Sequence, residues 1–476
     1  MFDVVLYGAT GFTGQLAARY LAGVKQRLLP TLRFALAGRS RSKLEALNAG
    51  LGAAGCRADG VLIASADDGA SIDAMAGAAR VVISTAGPFM LHSDAVVSAC
   101  VRLGADYVDI TGETPWVRAR SSTATTMELR VDDDTPWVRS LVDRHDAAAR
   151  AKGVRIVPMC GFDSMPSDLG AFAAARALAQ RPAAGAAAAG GGGGGARVRL
   201  RRVVNYASMK GQLSGGTLAT GMLMEERGML GQIDDPFLLG GGRPCGGDGG
   251  GSDGSAGSDG GGGGGGGGGG VRAEDEDYAG VEWDEARGRW VAPFMMANLN
   301  TRVVRRSCAL FGDGRGEAAL QAGGGVGYGA EFNYQEKALF EHEKHARRAA
   351  APVPDVPTRR ALVEGGVLPA PGQGPDAATR AKSSFSMRFE ALAEDGATCA
   401  LTVSGGDPGY DETAKMVCEA GLCLALQRDA LPPAGGVLTP ATAMGSLLVE
   451  RLQAAGIRFD FHDEGGDCGG TRGSKL

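Results

Sequence analysis

Val4-Val5-Leu6-Tyr7 is a short apolar run that stops at Gly8, and the same beat returns along the first quarter of the chain. Strand-like runs recur at Arg33–Ala37, Gly60–Ala64, Val81–Ser84 and Tyr107–Ile110. Between them Gln15–Ala22, Ser42–Leu47 and His92–Leu103 read as helices. Strands and helices alternating at this length predict βαβ units and a parallel sheet. Val154–Met159 offers one further strand. Beyond residue 161 come strand-like pieces at Val198–Tyr206, Phe385–Ala391 and Thr398–Val403. Two helices follow, Asp411–Gln427 and Thr439–Ala455, the second with Pro440 in its first turn. The expected fold class is α/β: a parallel-sheet domain over 1–160, a second mixed α/β domain over 161–456, and a flexible tail over 457–476.

Three stretches interrupt this pattern. Thr114-Pro115-Trp116-Val117-Arg118 recurs unchanged as Thr135-Pro136-Trp137-Val138-Arg139, with polar, aperiodic sequence between the copies. Excising 119–139 would join the first copy to Ser140-Leu141-Val142-Asp143 and lead into a helix through His145. A duplication, a splice variant or a gene-model error fits that arrangement, and 119–139 is expected to be a surface excursion rather than a lid. Pro182–Gly195 is Ala/Gly-rich, and 239–270 is dominated by Gly, Ser and Asp. Neither buries enough apolar surface to offset its conformational entropy. Both, taken as 182–196 and 239–276, are expected to be disordered insertions without chemistry of their own.

Composition narrows the class. The 476 residues include 44% hydrophobic positions and carry a formal net charge of −5, which leaves no basic footprint for nucleic acid. No apolar stretch is long enough to span a bilayer, and the strand at the start does not read as a signal peptide. Nine cysteines lie scattered without Cys-x-x-Cys spacing, which suits a reducing compartment. Ser474-Lys475-Leu476 is the tripeptide read by a peroxisomal import receptor, so a peroxisomal location is expected, with cytoplasmic or lipid-droplet association as the alternative.

The chemistry begins at the first turn. Gly8-Ala9-Thr10-Gly11-Phe12-Thr13-Gly14 places Gly-x-x-Gly-x-x-Gly directly after a strand and directly before a helix. One glycine permits the tight turn, one lets backbone N–H groups approach a pyrophosphate, and one permits close helix–strand contact. The helix N-terminus then faces the phosphates. An NAD-specific site would end its second strand in Asp or Glu, whereas this chain has Arg39-Ser40-Arg41-Ser42-Lys43. Arg39 can stack on adenine or pair with a 2′-phosphate, and Ser40 and Lys43 can add hydrogen bonds, which favours NADP(H) over NAD(H). Asp67 ends the third strand near the adenine. Thr85, Ala86, Gly87 and Pro88 end the fourth, where small residues admit the nicotinamide side of the cofactor. This is a Rossmann-type arrangement.

These residues resemble the saccharopine dehydrogenase-like oxidoreductases, including the trans-acting enoyl reductases. The stretches that carry the resemblance are YGATGFTG (7–14), LAGRSRSKL (36–44), STAGPF (84–89), GADYVDITGE (104–113) and GFDSMPSD (161–168). SGGTLA (214–219), GYDETAKM (409–416) and GVLTPATAMG (436–445) follow in order. The resemblance implies a Rossmann domain, a mixed α/β domain whose helices return to pack near the first, and an association with lipid metabolism or lipid droplets. It implies a small-molecule, lipid-like substrate reduced at C=C, C=O or C=N, without naming it.

No catalytic residue stands out. Asp163 and Ser164 follow an apolar strand and could face the crevice, but equally could form a turn ahead of a helix capped by Ser167 or Asp168. Tyr206 and Lys210 mimic the Tyr/Lys pair of short-chain dehydrogenases, yet the stretch reads as extended and holds them about 13 Å apart. His342 and His345 share a charged stretch without a third ligand, and the tail cluster His462, Asp463, Asp467 and Cys468 is no stronger, so no metal is expected. The leading reading is an NADP(H)-dependent oxidoreductase. The alternatives are a non-catalytic dinucleotide-binding protein and a short-chain-type carbonyl reductase.

Overall fold

A computed structural model describes residues 1–112, 137–180, 199–212, 215–226, 235–240, 272–317, 327–370 and 372–462. Most of the 119–139 excursion, all of 182–196, most of 239–276 and the Ser474-Lys475-Leu476 end lie outside them.

The first layer is built as β1 (Phe2–Tyr7), α1 (Phe12–Arg27), β2 (Phe34–Gly38), α2 (Arg41–Ala53), β3 (Gly60–Ile63) and α3 (Gly69–Gly77). It continues through β4 (Ala79–Ser84), α4 (Phe89–Leu103), β5 (Asp106–Asp109), α5 (Trp137–Lys152) and β6 (Arg155–Val157). The strands run parallel in the order β3-β2-β1-β4-β5-β6. The chain runs outward from β1 to β2 and β3 and then crosses back to β4 on the other side of β1, so a crevice opens at the carboxyl ends of β1 and β4.

The second half supplies α6 (Met165–Ala179), β7 (Leu200–Lys210), α7 (Gly215–Glu226), β8 (Glu282–Asp284), β9 (Arg289–Pro293) and α8 (Ala297–Gly312). After these come β10 (Tyr328–Phe340), α9 (Glu343–Ala349), α10 (Val356–Glu364), α11 (Ala377–Arg380), β11 (Ser384–Ala393) and β12 (Thr398–Gly405). The chain closes with α12 (Thr413–Leu426), β13 (Gly436–Val437), α13 (Pro440–Ala454) and β14 (Arg458–His462). The second sheet is mixed, in the order β14-β12-β11-β7-β10-β9-β8, with β7 and β10 parallel. Along β11 buried and half-buried residues alternate, as a sheet with one covered face requires. The covered face lies on α6, a helix buried on every side from Met165 to Ala175, with Gly170 pressed against the Phe389 ring.

Several boundaries differ from the sequence expectation. The first sheet has a seventh strand, β13, paired parallel with β6, while α12 packs on β1, β4 and β5 as the expected return of helices to the first domain implies, and Gly421 lets it approach Ile83. The first layer is therefore completed by residues 413–437, and two-residue β13 was too short to leave a pattern. Arg458–His462, expected in the flexible tail, form an edge strand antiparallel to β12 with Phe459 buried. Trp137–Arg139, the expected end of the excursion, already form the first turn of α5, and Val138 is buried. Leu239 and Asp275, both placed in the low-complexity insertion, are buried. Each is a hydrophobic or paired residue at the end of a run whose average composition is polar.

Helix α8 shows why those last two are held. Arg302 pairs with Asp277, Arg306 donates to the Leu239 and Val437 carbonyls, and Arg305 donates to the carbonyls of Pro236 (3.1 Å), Asp275 (2.8 Å) and Tyr334 (3.3 Å). Arg305→Met should lower the unfolding free energy by about 3 kcal/mol, because each buried acceptor left unpaired costs about 1–3 kcal/mol. Denaturant titration measures this, and a loss below about 1 kcal/mol would show that water replaces the guanidinium.

Candidate active site

The crevice is lined first by the glycine turn. Gly8 adopts φ +80°, a conformation that favours glycine, and a Cβ there would stand 2.7 Å from the Ala86 nitrogen. A Cβ on Gly14 would stand 2.2 Å from the Gly8 carbonyl oxygen, so α1 can touch the turn only because Gly14 has no side chain. Gly11 caps α1, is exposed, and has no atom within 3.4 Å of its Cβ position. The first turn of α1 holds no acidic residue, leaving the positive end of the helix uncompensated. Thr85 donates to the Tyr7 carbonyl through its nitrogen (2.9 Å) and its hydroxyl (3.1 Å), stitching the end of β4 to the end of β1. The glycine turn thus abuts Thr85 and Ala86 at the end of β4. The Phe12 ring stands 5.0 Å from Tyr410 in an edge contact and beneath Arg380.

Arg39, at the end of β2, is exposed and has no ion-pair partner among the described residues. Ser40 caps α2 by accepting from the Lys43 nitrogen at 3.5 Å, and Lys43 is exposed in the same turn. Tyr7 adds a residue that the sequence reading missed. Burial raises its phenol, while a hydrogen bond with the Ala66 backbone and the charge of Arg39 oppose the rise and the charge of Asp67 adds to it. The only sequence signal for Tyr7 was its place before Gly8. An uncompensated guanidinium beside a helix N-terminus suits a phosphate monoester. Arg39→Ala should weaken NADPH by about tenfold or more, from the charge-assisted hydrogen bonds lost, and NADH much less. Equal losses for both cofactors in a titration would refute the 2′-phosphate assignment.

Across the crevice, Asp109 ends β5. Its Oδ1 accepts from the nitrogens of Thr111 (3.0 Å) and Met159 (3.1 Å), and its Oδ2 accepts from the Tyr107 hydroxyl (2.9 Å). Met159 is held at φ +63°, the one left-handed non-glycine residue described. This rivet sets the start of the turn that carries Asp163.

Asp163 lies deep in the fold but keeps part of its surface open. Its Oδ2 sits 3.0 Å from the Cβ position of Gly112, with Leu299 beside it. No hydrogen bond or ion pair reaches the carboxyl from the described residues, and burial alone pushes it up to about 6. Ser164 occupies the N-cap position of α6 without capping it, and donates instead to Asn300 Oδ1 at 3.1 Å. Neither Ser167 nor Asp168 caps the helix, contrary to one reading of the sequence: Ser167 donates to Glu336, and Asp168 accepts from Ser307 and from the Ala441 nitrogen. Leu299, Asn300 and Glu336 come from the second half of the chain, where no local motif marks them.

The other candidates fall elsewhere. Tyr206 and Lys210 lie on one strand, β7, and the Arg287 guanidinium covers the Tyr206 ring at 3.7 Å. His342 and His345 are exposed at the start of α9, and no cluster of metal-binding residues occurs among the described residues. Glu113, Asp463, Asp467 and Cys468 lie outside them. No helix among the described residues is long and apolar enough to cross a membrane.

Comparison with known proteins places this geometry. Residues 4–157 match the saccharopine dehydrogenase NADP binding domain family. A putative trans-acting enoyl reductase of Mycobacterium tuberculosis is 34% identical over 480 residues, covering 96% of this chain and 96% of that protein. The trans-acting enoyl reductase of Mycobacterium leprae is 31% identical over 474 residues, again covering 96% of each. Among solved structures, apo saccharopine dehydrogenase (L-Glu forming) from Saccharomyces cerevisiae covers 97% of this chain and 99% of its own at 12% identity, with a TM-score of 0.40. The chain belongs to the saccharopine dehydrogenase-like family that includes the trans-acting enoyl reductases, and it is an NADP(H)-dependent oxidoreductase of that family.

Proposed function

We propose that this protein reduces a carbon–carbon double bond conjugated to a carbonyl in a lipid-type acyl substrate. The observation that carries the reading is Asp163, a partly open carboxyl that packs by Gly112 and Leu299 at the end of β5 and has no partner among the described residues. Gly8, Gly11, Gly14 and the N-terminus of α1 would hold the pyrophosphate, and Arg39 with Lys43 the 2′-phosphate. When bound there, reduced nicotinamide would supply the hydride needed at the β-carbon of the enoyl group. Asp163 donates its proton to the α-carbon, where the electron pair of the former double bond has moved. Its raised pKa keeps a protonated fraction available near neutrality. Ala86, Met90, Ile110, Leu238 and Met296 are half-buried on the apolar cluster that also contains Leu299, and they favour a hydrocarbon chain over an amino-acid adduct.

Purified protein, NADPH and a panel of 2-enoyl thioesters and carbonyl lipids test the reading. NADPH oxidation with formation of the saturated acyl product is the expected result. Tight NADPH binding without turnover across the panel would point instead to a non-catalytic dinucleotide-binding protein. Delivery to the peroxisome is the remaining part of the proposal, carried by Ser474-Lys475-Leu476. An N-terminally tagged chain should colocalise with a peroxisomal marker and lose that location when the tripeptide is deleted, and an unchanged location would refute it.

A further inference from the structure

Glu336 on β10 is a carboxyl 1% exposed, with no cation against it among the described residues. Four side-chain donors surround it. Ser167 Oγ (2.6 Å), Tyr334 OH (2.6 Å) and Asn205 Nδ2 (3.0 Å) all donate to Oε1, and Asn300 Nδ2 donates to Oε2 at 2.9 Å. These donors come from α6, β10, β7 and α8, so one carboxyl joins both helices to the second sheet. Burial raises the Glu336 carboxyl and the four donors oppose that rise. Such a group is costly without its full set of donors.

The arrangement has a direction. A carboxylate only accepts, so it fixes the Asn300 amide with Nδ2 inward and Oδ1 outward. Oδ1 then accepts the single proton of Ser164, the residue after Asp163. Ser164 is buried and makes no cap to its own helix, so this hydrogen bond is what its side chain contributes. We propose that Glu336 is a positioning residue for the reaction, acting through Asn300 and Ser164 to hold the turn that presents Asp163. The proposal rests on the reading of Asp163 as the proton donor.

Four variants of the full chain test it, beside Asp163→Asn as the reference, with NADPH affinity, kcat/KM for an enoyl thioester and the carboxyl titration of Asp163 as readouts. That titration is followed by carbon-13 NMR, the signal being identified by its absence from Asp163→Asn. Ser164→Ala and Glu336→Ala should each lower kcat/KM by about tenfold or more and shift the Asp163 titration, with NADPH affinity within about twofold, since a small misplacement of a reacting group is enough. Together they should cost no more than either alone, because both cut the same chain. Glu336→Gln combined with Asn300→Asp moves the carboxylate one residue along and keeps Ser164 donating to an acidic oxygen, so it should recover most of the activity. If Glu336→Ala does not fold, Ser164→Ala and the Gln/Asp exchange decide the matter. Unchanged kcat/KM and titration in Ser164→Ala, additive losses, or no recovery in the exchange would overturn the positioning role. Full activity in Asp163→Asn would overturn the proton-donor reading itself, which separates the two failures.

Discussion

Asp163→Asn is expected to lower kcat/KM for enoyl reduction by about 100- to 10,000-fold, the range for loss of a general acid, while NADPH binds as before. Asn keeps the size and the seat of the carboxyl against Gly112 and Leu299 but has no proton to give. In the wild type the donor form is the protonated one. With the carboxyl raised to about 6, kcat/KM should fall as pH rises through that value, and the variant should lose this limb of its profile. In the variant, stability at neutral pH should move opposite to activity. A carboxyl raised above its usual value contributes stability that is fully present below about 3.8 and lost as pH rises through about 6. Removing the charge should therefore raise the unfolding midpoint at neutral pH while activity collapses. Loss of both activity and stability would mark Asp163 as a structural residue.

Gly14→Ala is the second large effect. The added carbon would stand 2.2 Å from the Gly8 carbonyl oxygen, 2.9 Å from the Ala9 α-carbon and 2.9 Å from the Thr85 hydroxyl. Two of those three atoms are backbone, so the start of α1 must shift away from β1. Affinity for NADPH should fall on the order of 100-fold, and the apo protein should lose about 1–3 kcal/mol through overpacking. Gly11→Ala is the matching control. Its Cβ meets no atom closer than 3.4 Å, so the apo protein should keep its stability while the bound pyrophosphate loses room. Calorimetric titration of both variants separates the two roles, and equal stability losses would contradict the assignment.

The amino-acid sequence made the first layer legible because its strands are continuous apolar runs and its turns are punctuated by Gly8, Gly38 and Gly104. The cofactor end was legible for the same reason: Gly8–Gly14 and Arg39 sit within one βαβ unit, where order along the chain dictates neighbourhood in space. Asp163 could be named but not weighed, since it packs beside Leu299 of α8, more than a hundred residues away. Asn300 and Glu336 left no trace, because a polar residue within an apolar helix or strand looks like an outward-facing position until the fold closes over it. The return of α12 to the first sheet was implied by the family resemblance, whereas two-residue β13 left no periodicity to read.

The three carbonyls gathered by Arg305 have a practical reach. Pro236 and Asp275 lie on either side of the glycine-rich stretch, and one guanidinium holds both. The ends of that stretch are thus fixed by the fold, and the entropy of closing a longer or shorter chain between them changes only logarithmically with its length. This makes 241–271 the natural port for grafting a foreign domain, such as a fluorescent reporter, into the middle of the enzyme without disturbing either sheet.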